Sequence, residues 1–168
     1  MGSCKEELGG SEYLKESHGL IKGDAPELDL CLEKAVQLTT FEAIKEGLAS
    51  SAHDCSEGGL AVALAECCIS NKEDMIGAII ENLDFDIRKD AVLFAESQSR
   101  IIISCGKRSV GRIREIAKRN KAPFCVIGKT GGKKLRIFDG KKELTSFSLR
   151  RLRKEWSESL KRKIDSGL

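Results

Sequence analysis

The sequence predicts an α+β domain, a mixed β-sheet flanked by helices. Three observations carry that expectation. Segments with apolar residues at helical spacing alternate along the chain with short apolar runs of strand type. Arg100 to Cys105, with three consecutive β-branched isoleucines, reads as a buried strand. Late in the chain, Phe124 to Ile127 and Leu135 to Phe138 read as two strands. Gly128, Gly131 and Gly132 mark their connection, and Asp139-Gly140 is a strong turn signal.

Each element has a local reason. Residues 1–23 show no strong periodicity, are broken by Gly9, Gly10, Gly19 and Gly23, and read as an extended lead-in. Met1-Gly2-Ser3 reads as an addition at its start. Asp24 and Pro26 mark a helix start, with Leu28, Leu32, Ala35, Val36, Thr39, Ala43 and Ile44 as its stripe and Gly47 as its stop. Leu48 to Ala52 reads as a strand that delivers the chain to a turn at His53. The next helix, Leu60 to Ile69, shows Leu60, Ala63, Leu64, Cys67 and Cys68 on one side. Met75 to Leu83 reads as a strand and Ile87 to Phe94 as a short helix. After strand 100–105, Ser109 is expected to cap a helix whose inner face holds Val110, Ile113, Ile116 and Ala117. The tail, Leu149 to Ile164, reads as a basic amphipathic helix with Leu149, Leu152, Trp156, Leu160 and Ile164 as its stripe.

At 168 residues the chain is long enough to bury one core. The natural division is a lead-in, 1–23, and one domain, 24–168. A net charge of +3 is too small to imply nucleic-acid binding by itself. No window approaches the roughly 20 apolar residues of a membrane span, and the start lacks the layout of a signal peptide. The seven cysteines form no CxxC pair, and Cys31, Cys67, Cys68, Cys105 and Cys125 sit in apolar segments as small buried hydrophobes. An odd count without framework spacing argues for a reducing compartment, the cytoplasm.

The candidate site is His53-Asp54-Cys55-Ser56-Glu57-Gly58-Gly59, a polar turn that opens onto a helix. Unpaired N–H groups and the partly positive end of the dipole make such a place able to hold a polar or anionic ligand. The plain reading is a helix cap by Asp54 or Ser56, with Glu57 favouring the dipole. Two consecutive glycines favour the ligand reading, because they permit close backbone approach. A second candidate is Glu96-Ser97-Gln98-Ser99-Arg100, set against a solvated loop with Arg100 paired to a carboxylate. Cys55 beside His53 at a helix start suggests a thiolate nucleophile, but no other part of such a site is visible. Lys107, Arg108, Arg112, Arg114, Lys118, Arg119 and Lys121 surround one helix without interleaved aromatics, so they read as a solvated face.

The run from Ala52 to Glu66 resembles the signature of the C-terminal domain of phosphoribosylformylglycinamidine synthases, synthetase subunit. Leu8 to Leu14 looks like the segment leading into that domain. Leu93 to Arg100 looks like its second motif, and Ile127-Gly128-Lys129 is similar to its late strand. The resemblance runs from about Glu7 to about Ile164, with the motifs in order. Residue 55 is usually apolar in the family, where Cys55 fits as a small hydrophobe, and Ser99 stands where the family often has Gly.

The resemblance implies a domain like the C-terminal half of aminoimidazole ribonucleotide synthetase (PurM), partly ferredoxin-like. It implies an ATP- and Mg²⁺-dependent ligase that converts formylglycinamide ribonucleotide to formylglycinamidine ribonucleotide with glutamine-derived ammonia, in purine biosynthesis. ATP and Mg²⁺ are then held mainly by domains this chain lacks. It is expected to be an excised domain, inactive alone. The partners implied are those missing ATP-binding domains, the glutaminase subunit PurQ and the small subunit PurS, with no nucleic acid and no membrane. The residues expected to bind substrate are His53, Asp54, Ser56, Glu57, Gly58, Gly59, Glu96, Ser97 and Arg100, with Asp54 as a candidate metal ligand. Two other functions fit the sequence: a domain of another ATP-dependent synthetase or kinase of the superfamily, and a non-catalytic module that docks subunits through its basic helix or tail.

Overall fold

A computed structural model describes residues 1–71, 73–83 and 86–166. Along the chain the elements are α1 (Glu12–His18), α2 (Leu30–Lys45), β1 (Ala49–Asp54), α3 (Gly59–Ile69), β2 (Ala78–Ile80) and α4 (Lys89–Phe94). There follow β3 (Ile101–Cys105), a 3-10 turn (Lys107–Ser109), α5 (Val110–Asn120), β4 (Gly128–Thr130), β5 (Lys134–Asp139), β6 (Lys142–Ser148) and α6 (Leu149–Asp165). The α+β class holds, with the strands divided between two sheets. The chain divides into two compact units, Met1–Leu64 with Asp84–Val126, and Ala65–Leu83 with Ile127–Leu168.

In the first unit β1 pairs antiparallel with β3, His53 opposite Ile102 and Asp54 opposite Ile101. The strand thus runs two residues past the expected Ala52 and contains the residues read as a turn. β3 is half-buried at all five positions, not buried. A two-stranded sheet leaves more of each strand open than the expected burial would. The core joins α2 to α5: Ala35 and Val36 meet Ala117 and Ala122, with Leu32, Ile101 and Phe124 around them.

α2 begins at Leu30, later than Pro26 suggested, because the Asp29 carboxylate accepts the N–H groups of Cys31 and Leu32 at 2.8 and 3.1 Å. It stops at Gly47 as expected. Gly47, at φ 66°, donates to Ile44 O, and Leu48 donates to Ala43 O. Those two bonds make a Schellman end, for which a left-handed glycine is the usual residue. Ser109 is not a cap: it closes the 3-10 turn in right-handed helical conformation and makes no side-chain cap bond. Two of the basic residues around α5 face α2, Arg112 forking onto Glu46 at 2.9 Å and Arg119 meeting Glu42.

The lead-in contains α1, capped by Ser11 Oγ on Leu14 N–H and ended by Gly19 at φ 64°. None of its seven residues is buried, so no apolar rhythm announces it. The chain start lies along β3, Ile101 N–H donating to Met1 O at 3.1 Å.

The second unit holds a four-stranded mixed sheet in the order β4-β2-β5-β6. β2 is antiparallel to β4 and parallel to β5, and β5 and β6 form a hairpin. Asp139 opposite Lys142 closes that hairpin, with Gly140 at φ 56°. Of the expected strand Met75 to Leu83 only Ala78–Ile80 is β-strand. The expected strand Phe124 to Ile127 is displaced to Gly128–Thr130, and β6 follows the turn where no strand was foreseen. Gly128 belongs in β4 because a Cβ there would meet Ile79 O at 2.1 Å. The buried apolar residues of this unit include Ile80, Leu135, Ile137 and Leu149. Leu152 of the α6 stripe is half-buried, and beyond it Trp156, Leu160 and Ile164 are exposed.

The cysteines also differ from expectation. Cys68 is buried, Cys67 and Cys105 are half-buried, and Cys31 and Cys125 are exposed. Cys31 sits in the first turn of α2, beside the capping Asp29, where the helix still faces water.

Candidate functional site

The site grows from the end of β1. Cys55 N–H donates to Arg100 O at 2.8 Å, one step beyond the paired Asp54 and Ile101. This bond puts the two motifs side by side. The chain then turns through Ser56 and Glu57, and Gly59 N–H closes the turn on Ser56 O at 3.0 Å. Glu96 ties the turn from the other motif. Its Oε1 accepts the N–H of Gly58 at 2.8 Å and that of Glu12 at 2.9 Å.

A cleft of about 340 Å³ lies between these segments, lined by Glu33, Asp54, Cys55, Ser56, Glu57, Glu96, Gln98, Ser99, Arg100 and Ile101. Of the residues singled out in the sequence, Asp54, Ser56, Glu57, Glu96 and Arg100 line it; His53, Gly58, Gly59 and Ser97 do not. His53 Nδ1 lies 2.6 Å from the Asp54 carbonyl oxygen and 3.9 Å from Asp54 Oδ1. Ser97 is 3% exposed, and its hydroxyl accepts Lys5 N–H at 3.3 Å.

The two glycines serve close packing within the chain. A Cβ on Gly59, at φ 64°, would lie 2.6 Å from Ala95 O and 2.9 Å from Phe94 C. On Gly58, at φ 77°, it would lie 2.4 Å from Val62 Cγ2. Both N–H groups have partners inside the chain, so the close approach inferred from the glycine pair is that of the α4 end and α3 itself. The Ser56 hydroxyl donates to Asp54 Oδ2, and its carbonyl takes the bond from Gly59.

Arg100 is buried, not solvated. Its Nη1 donates to Ala95 O at 3.1 Å and its Nη2 to Val92 O at 3.2 Å, so it closes the carbonyl end of α4. A cation is favoured at that end of a helix. Burial of Cys55 pushes its thiol above the ordinary value, an effect the Arg100 charge only partly offsets. The thiol is therefore protonated at neutral pH, and a Cys55–His53 nucleophile loses its support. The Ser56 hydrogen bond, with backbone help, holds the Asp54 carboxyl below its ordinary value. Asp54 is thus ionised at neutral pH.

Glu33, on α2, is the cleft residue the sequence did not reveal. It takes Ser99 Oγ on Oε2 and Gln37 Nε2 on Oε1, each at 2.5 Å. Nothing in the helical pattern of α2 separates Glu33 from a solvated glutamate. Ser99 itself stands at φ 61°, the left-handed region that favours glycine.

As a metal centre the cleft is incomplete. Among the described residues no group of three or more His, Cys, Asp or Glu side chains is placed to hold a metal ion. Asp54 offers one carboxylate, half engaged by Ser56. Mg²⁺ held by so few protein ligands completes its shell with waters and substrate phosphates.

A strand-end cleft built from a glycine turn and a polar loop gives this α+β domain a polar site. The chain belongs to the family of the AIR synthase related protein, C-terminal domain, whose model matches residues 1–140. It is 44% identical over 160 residues to phosphoribosylformylglycinamidine synthase subunit PurL of Moorella thermoacetica, a match that covers 95% of this chain and 21% of that protein. It is 49% identical over 144 residues to the same subunit of an Anaeromyxobacter species, covering 82% and 19%. The chain therefore spans about a fifth of the length of these relatives. The fold is similar to Thermotoga maritima PurL complexed with FGAR, with a TM-score of 0.77 and 21% identity over 90% of this chain and 26% of that one. It is also similar to the same protein complexed with ATP, with a TM-score of 0.68, and to PurLQS from that organism, with a TM-score of 0.66. At that identity the likeness is one of fold.

Proposed function

We propose that this chain is the C-terminal domain of the synthetase subunit of a phosphoribosylformylglycinamidine synthase, and that its cleft binds part of the substrate. In this reading residues 1–23 lead into the domain and 24–168 form it. The longer protein activates the amide oxygen of formylglycinamide ribonucleotide with ATP. Ammonia from glutamine then displaces the phosphate to give the amidine. The observation that carries the reading is the convergence of the two motifs on one cleft through Glu96 and the Cys55–Arg100 bond.

The lining supports a division of labour. Glu33, Asp54, Glu57 and Glu96 face one cleft with Arg100 as its cation. Carboxylates accept hydrogen bonds and repel phosphate, so this side takes hydroxyl- and amide-bearing parts of the substrate. Asp54, Ser56 and Glu57 are the direct contacts. His53, Ser97, Gly58 and Gly59 shape the turn behind them. The phosphates of ATP belong to other domains of the longer protein, as does Mg²⁺, to which Asp54 adds at most one carboxylate. PurQ, PurS and the rest of the synthetase subunit are the partners, and the cytoplasm is the compartment. No helix among the described residues is long and apolar enough to cross a membrane.

A chimera tests this reading. This chain replaces the matching C-terminal segment of the Moorella thermoacetica relative, and growth of a purine-requiring strain lacking its own subunit is scored. The unaltered chimera restores growth, and chimeras carrying Asp54→Ala or His53→Ala do not while accumulating to the same level. Failure of the unaltered chimera, or full growth with both substitutions, contradicts the reading. The docking-module reading draws on the exposed Trp156, Leu160 and Ile164 of α6. It gains if only changes there abolish growth.

A further inference from the structure

We propose that Glu96 is a positioning residue, which holds the Ser56–Gly58 turn in place against the cleft and does not itself bind substrate or move its protons. This rests on the substrate-site reading above and gives one of its residues a different task.

The geometry concentrates on one atom. Glu96 Oε1 accepts Gly58 N–H at 2.8 Å and Glu12 N–H at 2.9 Å. Gly58 directly precedes α3, and Glu12 is the first residue of α1. One carboxylate therefore satisfies unpaired donors at the starts of two helices, with its charge at the favourable pole of both. Such charge-assisted bonds are the stronger kind. The backbone on either side is fixed as well. Gly59 packs against Ala95 O and Phe94 C too closely for any Cβ, and the Tyr13 ring of α1 stacks on Phe94 with centroids 4.7 Å apart. Glu96 thus lies where α1, the end of α4 and the start of α3 meet.

Moving Glu96 would release the turn that carries Ser56 and Glu57. Ser56 in turn donates to Asp54 Oδ2, so the release reaches the ionised carboxylate that faces the cleft. An acceptor oxygen is all that Gly58 and Glu12 require, and glutamine also has one. A general base or a ligand for a cationic group would need the negative charge. The conservative amide thus separates the two roles.

Amide exchange in the 168-residue chain and activity in the chimera give independent readouts, with circular dichroism to confirm folding. Glu96→Ala is expected to speed exchange at Gly58 and Glu12 about tenfold or more, and Glu96→Gln to stay nearer the unaltered chain. In the chimera, Glu96→Ala lowers kcat/KM for amidine formation about tenfold or more, while Glu96→Gln stays within a few fold. The pH profile of Glu96→Gln matches that of the unaltered chimera. If Glu96→Gln is as inactive as Glu96→Ala while its amides stay protected, the carboxylate charge acts on the substrate and the proposal is overturned. If Glu96→Ala leaves activity unchanged while Asp54→Ala abolishes it, the proposal fails alone. If both leave activity unchanged, the substrate-site reading fails with it.

Discussion

Glu96 Oε1 and the Gly58 N–H stand 2.8 Å apart, and this bond joins two motifs separated by 38 residues. The same oxygen takes the Glu12 N–H at 2.9 Å, from a segment 84 residues away. A loop glutamate and a turn glycine, ordinary when apart, hold the Ser56–Glu57 side of the cleft in place when so joined.

Gly59→Ala tests whether packing or ligand contact sets the need for that glycine. The position combines φ 64° with a Cβ clash of 2.6 Å against Ala95 O, a backbone atom that cannot swing away. Destabilisation of about 2 kcal/mol or more is expected by urea unfolding of this chain without any ligand. Backbone strain held in place by its surroundings usually costs roughly 1–3 kcal/mol. A change under about 0.5 kcal/mol, the size of an ordinary surface substitution, would mean that the α4 end yields easily and that packing does not require the glycine.

Ser99 offers a cleaner measure of backbone strain. It holds φ 61° and gives its hydroxyl to Glu33 Oε2. Ser99→Ala and Ser99→Gly both lose that bond, and only the glycine relieves the left-handed backbone. Thermal unfolding should place Ser99→Gly above Ser99→Ala by about 1 kcal/mol.

Arg100→Ala removes both donors from the carbonyl end of α4, leaving Ala95 O and Val92 O without them in a buried setting. A loss of about 3 kcal/mol is expected by chemical denaturation. Arg100→Lys should recover little of it, because one ammonium lacks the planar fork that reaches both carbonyls.

Cys68 gives a pH dependence. Burial pushes its thiol from 9.0 up to about 11. The folded state therefore keeps a proton that the unfolded state releases first. The stability it contributes is fully present below pH 9.0 and is lost as pH rises from there through about 11. The slope is up to about 1.4 kcal/mol per pH unit. Denaturation midpoints of the unaltered chain and Cys68→Ala, measured across that window, should converge as pH rises. Parallel curves would remove Cys68 as a source of the loss.

Much of this fold was legible because burial and periodicity agree. α3 and α5 carry their apolar residues at helical spacing, and β3 opens on three consecutive isoleucines, so their positions were readable to within a residue or two. α1 was hidden because none of its residues is buried, and β4 because its first residue, Gly128, reads as a breaker while serving close strand contact. The site was half legible. Its two motifs stand out by composition, but the role of Gly59 depends on Ala95, and that of Glu33 on Ser99. Those partners are brought near only by the fold, and no local pattern encodes them.

Whether ligand binds at the strand-end cleft is decided by a titration. The isotopically labelled 168-residue chain is followed by two-dimensional amide NMR as formylglycinamide ribonucleotide is added. Binding in the cleft predicts shifts confined to Asp54–Glu57, Glu96–Arg100 and the neighbourhood of Glu33, weakened by Asp54→Ala. Shifts centred on Trp156 and Leu160 of α6, or none in the cleft up to millimolar ligand, would contradict it.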